Sequence, residues 1–125
     1  MVNALSETVE EKRTFSKAFR ETRCVIPVSG FYEWDSEKRK LLFTVGDNVV
    51  FYLGGFYRVP KTGTGFETES IIMTTKPNES VAPIHDRMPL IIQKHHIKEW
   101  ITDLDFARNY LTADMPEINS TEATK

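Results

Sequence analysis

Two side chains of the kinds that move protons, Glu33 and His85, stand in unusual company. His85 lies in Pro83-Ile84-His85-Asp86-Arg87-Met88-Pro89, with a proline at each end. A proline restricts its own φ and disfavours helix at the residue before it, so Ala82 and Met88 are expected to be extended and the heptapeptide a stiff ribbon. Neighbouring side chains of such a ribbon point to opposite faces, which separates His85 from Asp86. An acid–base partner for His85 must then come from elsewhere in the chain. The plainer alternative is a histidine that packs and hydrogen-bonds in a turn. Glu33 lies in Phe31-Tyr32-Glu33-Trp34, a carboxylate among three aromatic rings. Buried there, a carboxyl keeps its proton to higher pH, as a general acid requires. Pointing to water at a strand end, it is an ordinary surface charge. If both groups serve one reaction, they are expected within about 8 Å of each other, facing one cleft.

Other polar residues have weaker claims. Trp34 offers a stacking face for a nucleobase, or ordinary edge packing. Thr74-Thr75-Lys76-Pro77-Asn78 ends an apolar run with hydroxyls and an amine, a perch suited to phosphate. Arg87 offers the same, or an ion pair near Asp86. Asn3, ahead of a helical pattern, reads as a local cap. His95 and His96 read as solvated or capping residues of a helix. One cysteine and three histidines without close spacing argue against a structural zinc site, and no cofactor is expected.

The elements that must position these groups follow from pattern. Ser6 to about Phe19 reads as a surface helix, broken near Thr14, whose basic residues Lys12, Arg13, Lys17 and Arg20 continue into Arg23 as a solvated face. Cys24–Val28 reads as a buried strand. Phe31–Trp34 and Leu41–Val45 flank the polar turn 35–40 as a hairpin, and Gly46-Asp47-Asn48 turns into a strand from Val49. Gly54-Gly55 inside that strand signals a bulge or a close backbone approach. Lys61–Gly65 reads as an exposed loop, Ser70–Thr74 as a strand core, and Leu90–Ile92 as a short buried strand. Gln93 to Ile101 has helical spacing with Ile97 and Trp100 inward, and Asp103–Tyr110 adds a helical turn. Residues 113–125 are polar and read as a flexible tail, leaving 1–112 as the domain. Strands outnumber helices and the turns are tight, so the expected class is α+β: a mostly antiparallel sheet, curled or closed into a partial barrel, with helices at its margins.

Composition sets the outer limits. A chain of 125 residues, 40% hydrophobic and 27% charged, suits one soluble domain. No apolar run approaches the roughly 20 residues that span a bilayer, and the N-terminus lacks the pattern of a secretion signal. A single cysteine agrees with a cytoplasmic protein. The net charge of −2 neither requires nor excludes nucleic acid.

Four blocks in order, Val2-Asn3-Ala4-Leu5-Ser6-Glu7-Thr8, Arg23 to Trp34, Thr74-Thr75 and Ile84-His85-Asp86-Arg87-Met88-Pro89, resemble the SRAP family of SOS-response-associated peptidases. The resemblance implies processing of abasic sites in single-stranded DNA. An N-terminal cysteine captures the ring-opened sugar aldehyde, its amine forming a Schiff base that its thiol closes to a thiazolidine, and peptidase-like self-processing frees that amine. It implies Asn3 as the residue holding the cysteine, Glu33 as the acid/base for ring opening, and His85 as the group that steadies the sugar and assists Schiff-base formation. Trp34, Thr74, Asp86 and Arg87 would line the DNA path, and a nucleoid-associated place in the cytoplasm would follow. Several features depart from the family pattern. The sequence begins Met1-Val2 rather than Met-Cys, and Leu5 stands where the family usually has an arginine. The N-terminal segment before the Asn block and the final strand are expected to be absent. The expectation is a fragment, a binding-only remnant, or a protein whose missing segment another chain supplies. A hydrolase unrelated to DNA would have only Glu33 and His85 in its favour.

Overall fold

A computed structural model describes residues 2–59, 61–62 and 65–123. Its elements are, in order, β1 (Val2–Leu5), α1 (Arg13–Glu21), β2 (Arg23–Val28), β3 (Phe31–Trp34), β4 (Lys40–Thr44), β5 (Phe51–Arg58), β6 (Lys61–Thr62), β7 (Gly65–Phe66), β8 (Glu69–Thr75), β9 (Met88–Pro89), β10 (Ile91–Ile92), a 3-10 turn (Lys94–His96), α2 (Ile97–Thr102), α3 (Leu104–Tyr110) and β11 (Asn119–Glu122). Mixed α and β content bears out the expected class. The strands form a six-stranded sheet, a three-stranded sheet and the small β6–β7 pair, and the two larger sheets do not close into a barrel.

The larger sheet is built around β5, which pairs antiparallel with β2 and, from Gly55 to Arg58, with β8. Further along, β8 and β5 part company, and the segment from Met88 to Ile92 fills the gap. Its first half pairs with β8 through Thr74↔Pro89 and Thr75↔Met88, and its second half with β5 through Ile91↔Leu53. Leu90 joins the two, its N–H donating to Met73 O at 2.8 Å and its carbonyl accepting from Gly54 N–H at 2.7 Å. This wedge places the residues just before it, His85 to Arg87, at the C-terminal end of β8.

Two apolar cores sandwich the larger sheet. On one face Phe19, Phe56, Ile71, Met73, Leu90, Trp100 and Tyr110 pack beneath the helices. On the other, Phe43, Phe51, Leu53, Val81, Met88, Ile91 and Ile118 pack against the smaller sheet, order β11-β4-β3. The ladder of β2 on β5 runs without a bulge through Gly54 and Gly55. Close approach is the reason for glycine here: a Cβ on Gly55 would overlap the backbone carbonyl of Ile71, and one on Gly54 would lie 2.9 Å from Ile92 Cδ1.

Several expectations fail for identifiable reasons. Asn3 caps no helix; it sits in β1, paired parallel with β8 in the register Asn3↔Ile72. Residues 6–11 form turns, so the helix begins only at Arg13. Arg23 is not part of a solvated face but is buried, donating to the carbonyls of Phe19, Arg20, Trp100 and Ile101 and so closing the C-terminal ends of α1 and α2. The Pro83–Pro89 stretch is extended only at its end. Ala82 N–H bonds Asn78 O, and Ile84 and His85 N–H both bond Val81 O, a coiled turn that the Asn78 side chain helps to hold. Residues 113–123 are not a frayed tail: Ile118 is buried in the second core, and Asn119–Glu122 pairs with β4. All four β11 side chains are exposed, so backbone bonding plus one apolar anchor holds a strand with no apolar pattern. Of the expected loop at 61–65, Gly63 and Thr64 lie outside the described residues; Lys61–Thr62 pairs with Gly65–Phe66. Among the described residues no helix is long and apolar enough to cross a membrane.

Candidate active site

Period-two alternation in β3 decides where Glu33 points. Phe31 packs into the second core, stacked on Phe43 at 5.1 Å between ring centroids. Glu33, two residues on, shares that face and is half-buried, whereas Tyr32 and Trp34 alternate to the exposed face, where Lys40 Nζ sits 4.3 Å and 5.7 Å from their ring centroids. The carboxylate is therefore not enclosed by three rings, as the sequence suggested. It meets His85 instead. His85 Nε2 lies 2.7 Å from Glu33 Oε2, with the two side chains 32% and 30% exposed. The expected proximity holds.

The other ring nitrogen is equally well placed. His85 Nδ1 accepts from the Arg87 N–H at 3.2 Å and lies 3.1 Å from the Arg87 carbonyl and 3.5 Å from Asp86 Oδ1. A neutral ring with its proton on Nε2 accepts at Nδ1, and a doubly protonated ring donates there to the carbonyl. Glu33 accepts from Nε2–H in both states, so the ring can gain or lose a proton without losing a partner. Asp86, 92% exposed, stays close to the ring but lies outside the cleft.

Beside this pair opens a cleft of about 450 Å³ whose lining includes Asn3, Phe31, Glu33, Thr74, His85 and Arg87, with Leu53, Ile72 and Met88 as its apolar wall. The parallel register of β1 on β8, which matches Leu5 with Thr74, brings Asn3 to its rim. Five of the seven residues singled out from sequence thus converge on one opening; Trp34 and Asp86 do not line it. Sequence reasoning gave Glu7 no role. Its carboxylate receives Arg87 Nη1 at 2.5 Å and Nη2 at 3.0 Å, and Arg87 holds the Glu7 carboxyl down to about 2 from its ordinary 4.5. The partners lie 80 residues apart, and no local pattern announces the pair.

Cys24, half-buried in β2, has its thiol pushed up by burial and is a packing residue rather than a nucleophile. Among the described residues no three His, Cys, Asp or Glu side chains cluster so as to hold a metal ion.

With this geometry in place, likeness to other proteins becomes informative. The family described as SOS response associated peptidase (SRAP) matches residues 1–123. This chain belongs to the SRAP family. It is 37% identical over 116 residues to abasic site processing protein YoaM of Bacillus subtilis, covering 89% of this chain and 51% of that protein. Over 105 residues it is 26% identical to abasic site processing protein YedK of Escherichia coli, covering 81% of this chain and 47% of that one. Among solved structures, a protein from Bordetella bronchiseptica superposes with a TM-score of 0.88 at 21% identity, over 98% of this chain and 65% of that one. A protein from Bacteroides thetaiotaomicron gives 0.82 at 25% identity, over 98% of this chain and 58% of that one. The chain thus spans about half the length of the curated SRAP relatives it matches.

Proposed function

We propose that this chain acts in abasic-site processing of the SRAP type, binding the damaged sugar of single-stranded DNA in the Glu33–His85 cleft. The names of its curated relatives support the general activity. The observation that carries the residue roles is the 2.7 Å contact between Glu33 and His85 at the mouth of a cleft large enough for one sugar. In this reading the Glu33 carboxylate, held by His85 Nε2–H, takes the hemiacetal hydroxyl proton and delivers it to the ring oxygen as the ring C–O bond breaks, leaving a free aldehyde, while His85 steadies the sugar. Asn3 and Thr74 orient the sugar from the rim, and the apolar wall of Leu53, Ile72 and Met88 excludes water from one side. Trp34 and Asp86 lie beyond the cleft on exposed surface, where they would meet flanking nucleotides.

Closing the aldehyde to a thiazolidine requires a thiol beside a free amine. The only cysteine of these 125 residues is the half-buried Cys24. The reading for these residues is therefore recognition and ring opening, the amine coming from a segment or chain outside them. Two measurements test it. Anisotropy with a single-stranded oligonucleotide carrying one abasic site, against its intact counterpart, is expected to show preference for the damaged strand. An aminooxy reagent that traps open-chain aldehyde is expected to react faster with that strand when the protein is present. Equal binding of both strands together with an unchanged trapping rate sinks the reading; a binding preference without faster trapping leaves only a binding module.

A further inference from the structure

The Arg87 guanidinium has five N–H bonds arranged as two forks and one remaining donor. One fork, Nε and Nη2, faces Thr74: Nε lies 3.3 Å and Nη2 3.1 Å from Oγ1, and Nη2 is 2.8 Å from the Thr74 carbonyl. The other, Nη1 and Nη2, faces the two oxygens of Glu7. Both bidentate faces are taken, and one Nη1–H is left over. The acceptors are themselves anchored. Glu7 Oε1 accepts from Ser6 Oγ at 2.8 Å, and the Thr74 carbonyl also accepts from Ser6 N–H at 2.8 Å. The Arg87 side chain is thereby tied to the ends of β1 and β8, and the Arg87 backbone N–H in turn donates to His85 Nδ1.

We propose that Glu7 is a positioning residue of the cleft: by filling the outer fork of Arg87, it makes that arginine a bracket for the His85 ring instead of a free cation for DNA phosphate. Arg87 then lines the cleft with its charge neutralised, contributing at most one N–H to a bound sugar. A free arginine fork is a strong bidentate phosphate site, and here both forks are occupied before any DNA arrives. The part of this inference that concerns DNA rests on the proposed function; the part that concerns His85 does not.

The experiment therefore has two arms. In the DNA-free protein at pH 8, ¹⁵N imidazole spectra are expected to show His85 in the single tautomer with the proton on Nε2. Glu7→Gln and Arg87→Lys, neither of which preserves the charged fork, are expected to give His85 a mixture of tautomers. Glu10→Gln, which breaks the analogous but remote pair with Arg108, is expected to leave the wild-type pattern. In the second arm, intact single-stranded DNA is titrated across salt concentrations. Glu7→Gln frees the cation and is expected to steepen the slope of log affinity against log salt by about 0.7, the contribution of one phosphate on a single strand. The double variant Glu7→Gln/Arg87→Gln is expected to keep the wild-type slope. An unchanged His85 spectrum in a folded Glu7→Gln or Arg87→Lys protein overturns the proposal, and so does a double variant whose slope is shallower than wild type by that same amount. Failure of every variant to bind DNA, with the His85 changes intact, counts against the proposed function and leaves the bracket standing.

Discussion

Glu33→Gln is the substitution that separates chemistry from architecture most cleanly. The amide is isosteric with the carboxylate, and its oxygen can still accept from His85 Nε2–H across the 2.7 Å gap. What disappears is the charge and the ability to give and take a proton. A hydrogen bond to a charged partner exceeds a neutral one by about 1 kcal/mol, and the pair is about a third exposed, so the stability loss is about 1 kcal/mol or less. For a domain of this length that corresponds to a fall in melting temperature of about 3–6 °C. Loss of a general acid/base costs about 10²–10⁴ in rate, which is about 2.7–5.4 kcal/mol of barrier. The two effects differ enough to be resolved in one pair of assays: thermal melting by circular dichroism, and single-turnover trapping of the abasic aldehyde by an aminooxy reagent. The expected result is a drop of at least two decades in trapping rate with a melting shift no larger than about 6 °C. A variant that traps within about threefold of wild type refutes the acid/base role. One that melts more than about 10 °C lower shows that Glu33 is chiefly a structural residue.

Three further outcomes test the fold that holds the site. Arg23→Lys keeps the charge but strands buried carbonyls at the ends of α1 and α2; it is expected to destabilise by about 2–3 kcal/mol in urea unfolding, and a loss under about 0.5 kcal/mol contradicts the capping account. Gly55→Ala forces a Cβ into the Ile71 carbonyl and is expected to cost about 1–3 kcal/mol; a neutral result means β5 and β8 can separate without penalty. Because Glu7 is depressed to about 2 from 4.5, its contribution to stability is complete above pH 4.5 and disappears as pH falls from there toward 2. The wild-type urea midpoint should accordingly fall more steeply than that of Glu7→Gln between pH 5 and about 2.5, and parallel curves count against the ion pair.

The hairpin of β3 and β4 and the strand cores of β2, β5 and β8 were legible in the sequence because apolar and β-branched runs bounded by turn residues leave few alternatives. β1 was not. Val2-Asn3-Ala4-Leu5 is too short to show a period, and its strand conformation comes from pairing with β8, some 70 residues away. β11 failed for a related reason: its side chains all face solvent, so nothing in their chemistry records the partner strand. Arg23 looked like one more member of a basic run, since a one-dimensional pattern cannot distinguish a solvated guanidinium from one that caps two helices.

The site divides along the same line. Residue chemistry and the two prolines marked His85 as a group to be explained, and the position of Glu33 in an aromatic run marked it likewise. Local sequence determined which atoms were available and, through the two-residue repeat of β3, that Glu33 would face the side opposite Trp34. That Glu33 and His85 touch, and that Glu7 fills a fork of Arg87, was decided only when the segment 88–92 wedged between β8 and β5. Pairings over 52 and 80 positions arise from the closing of one chain on itself, which the pattern within any single stretch does not encode.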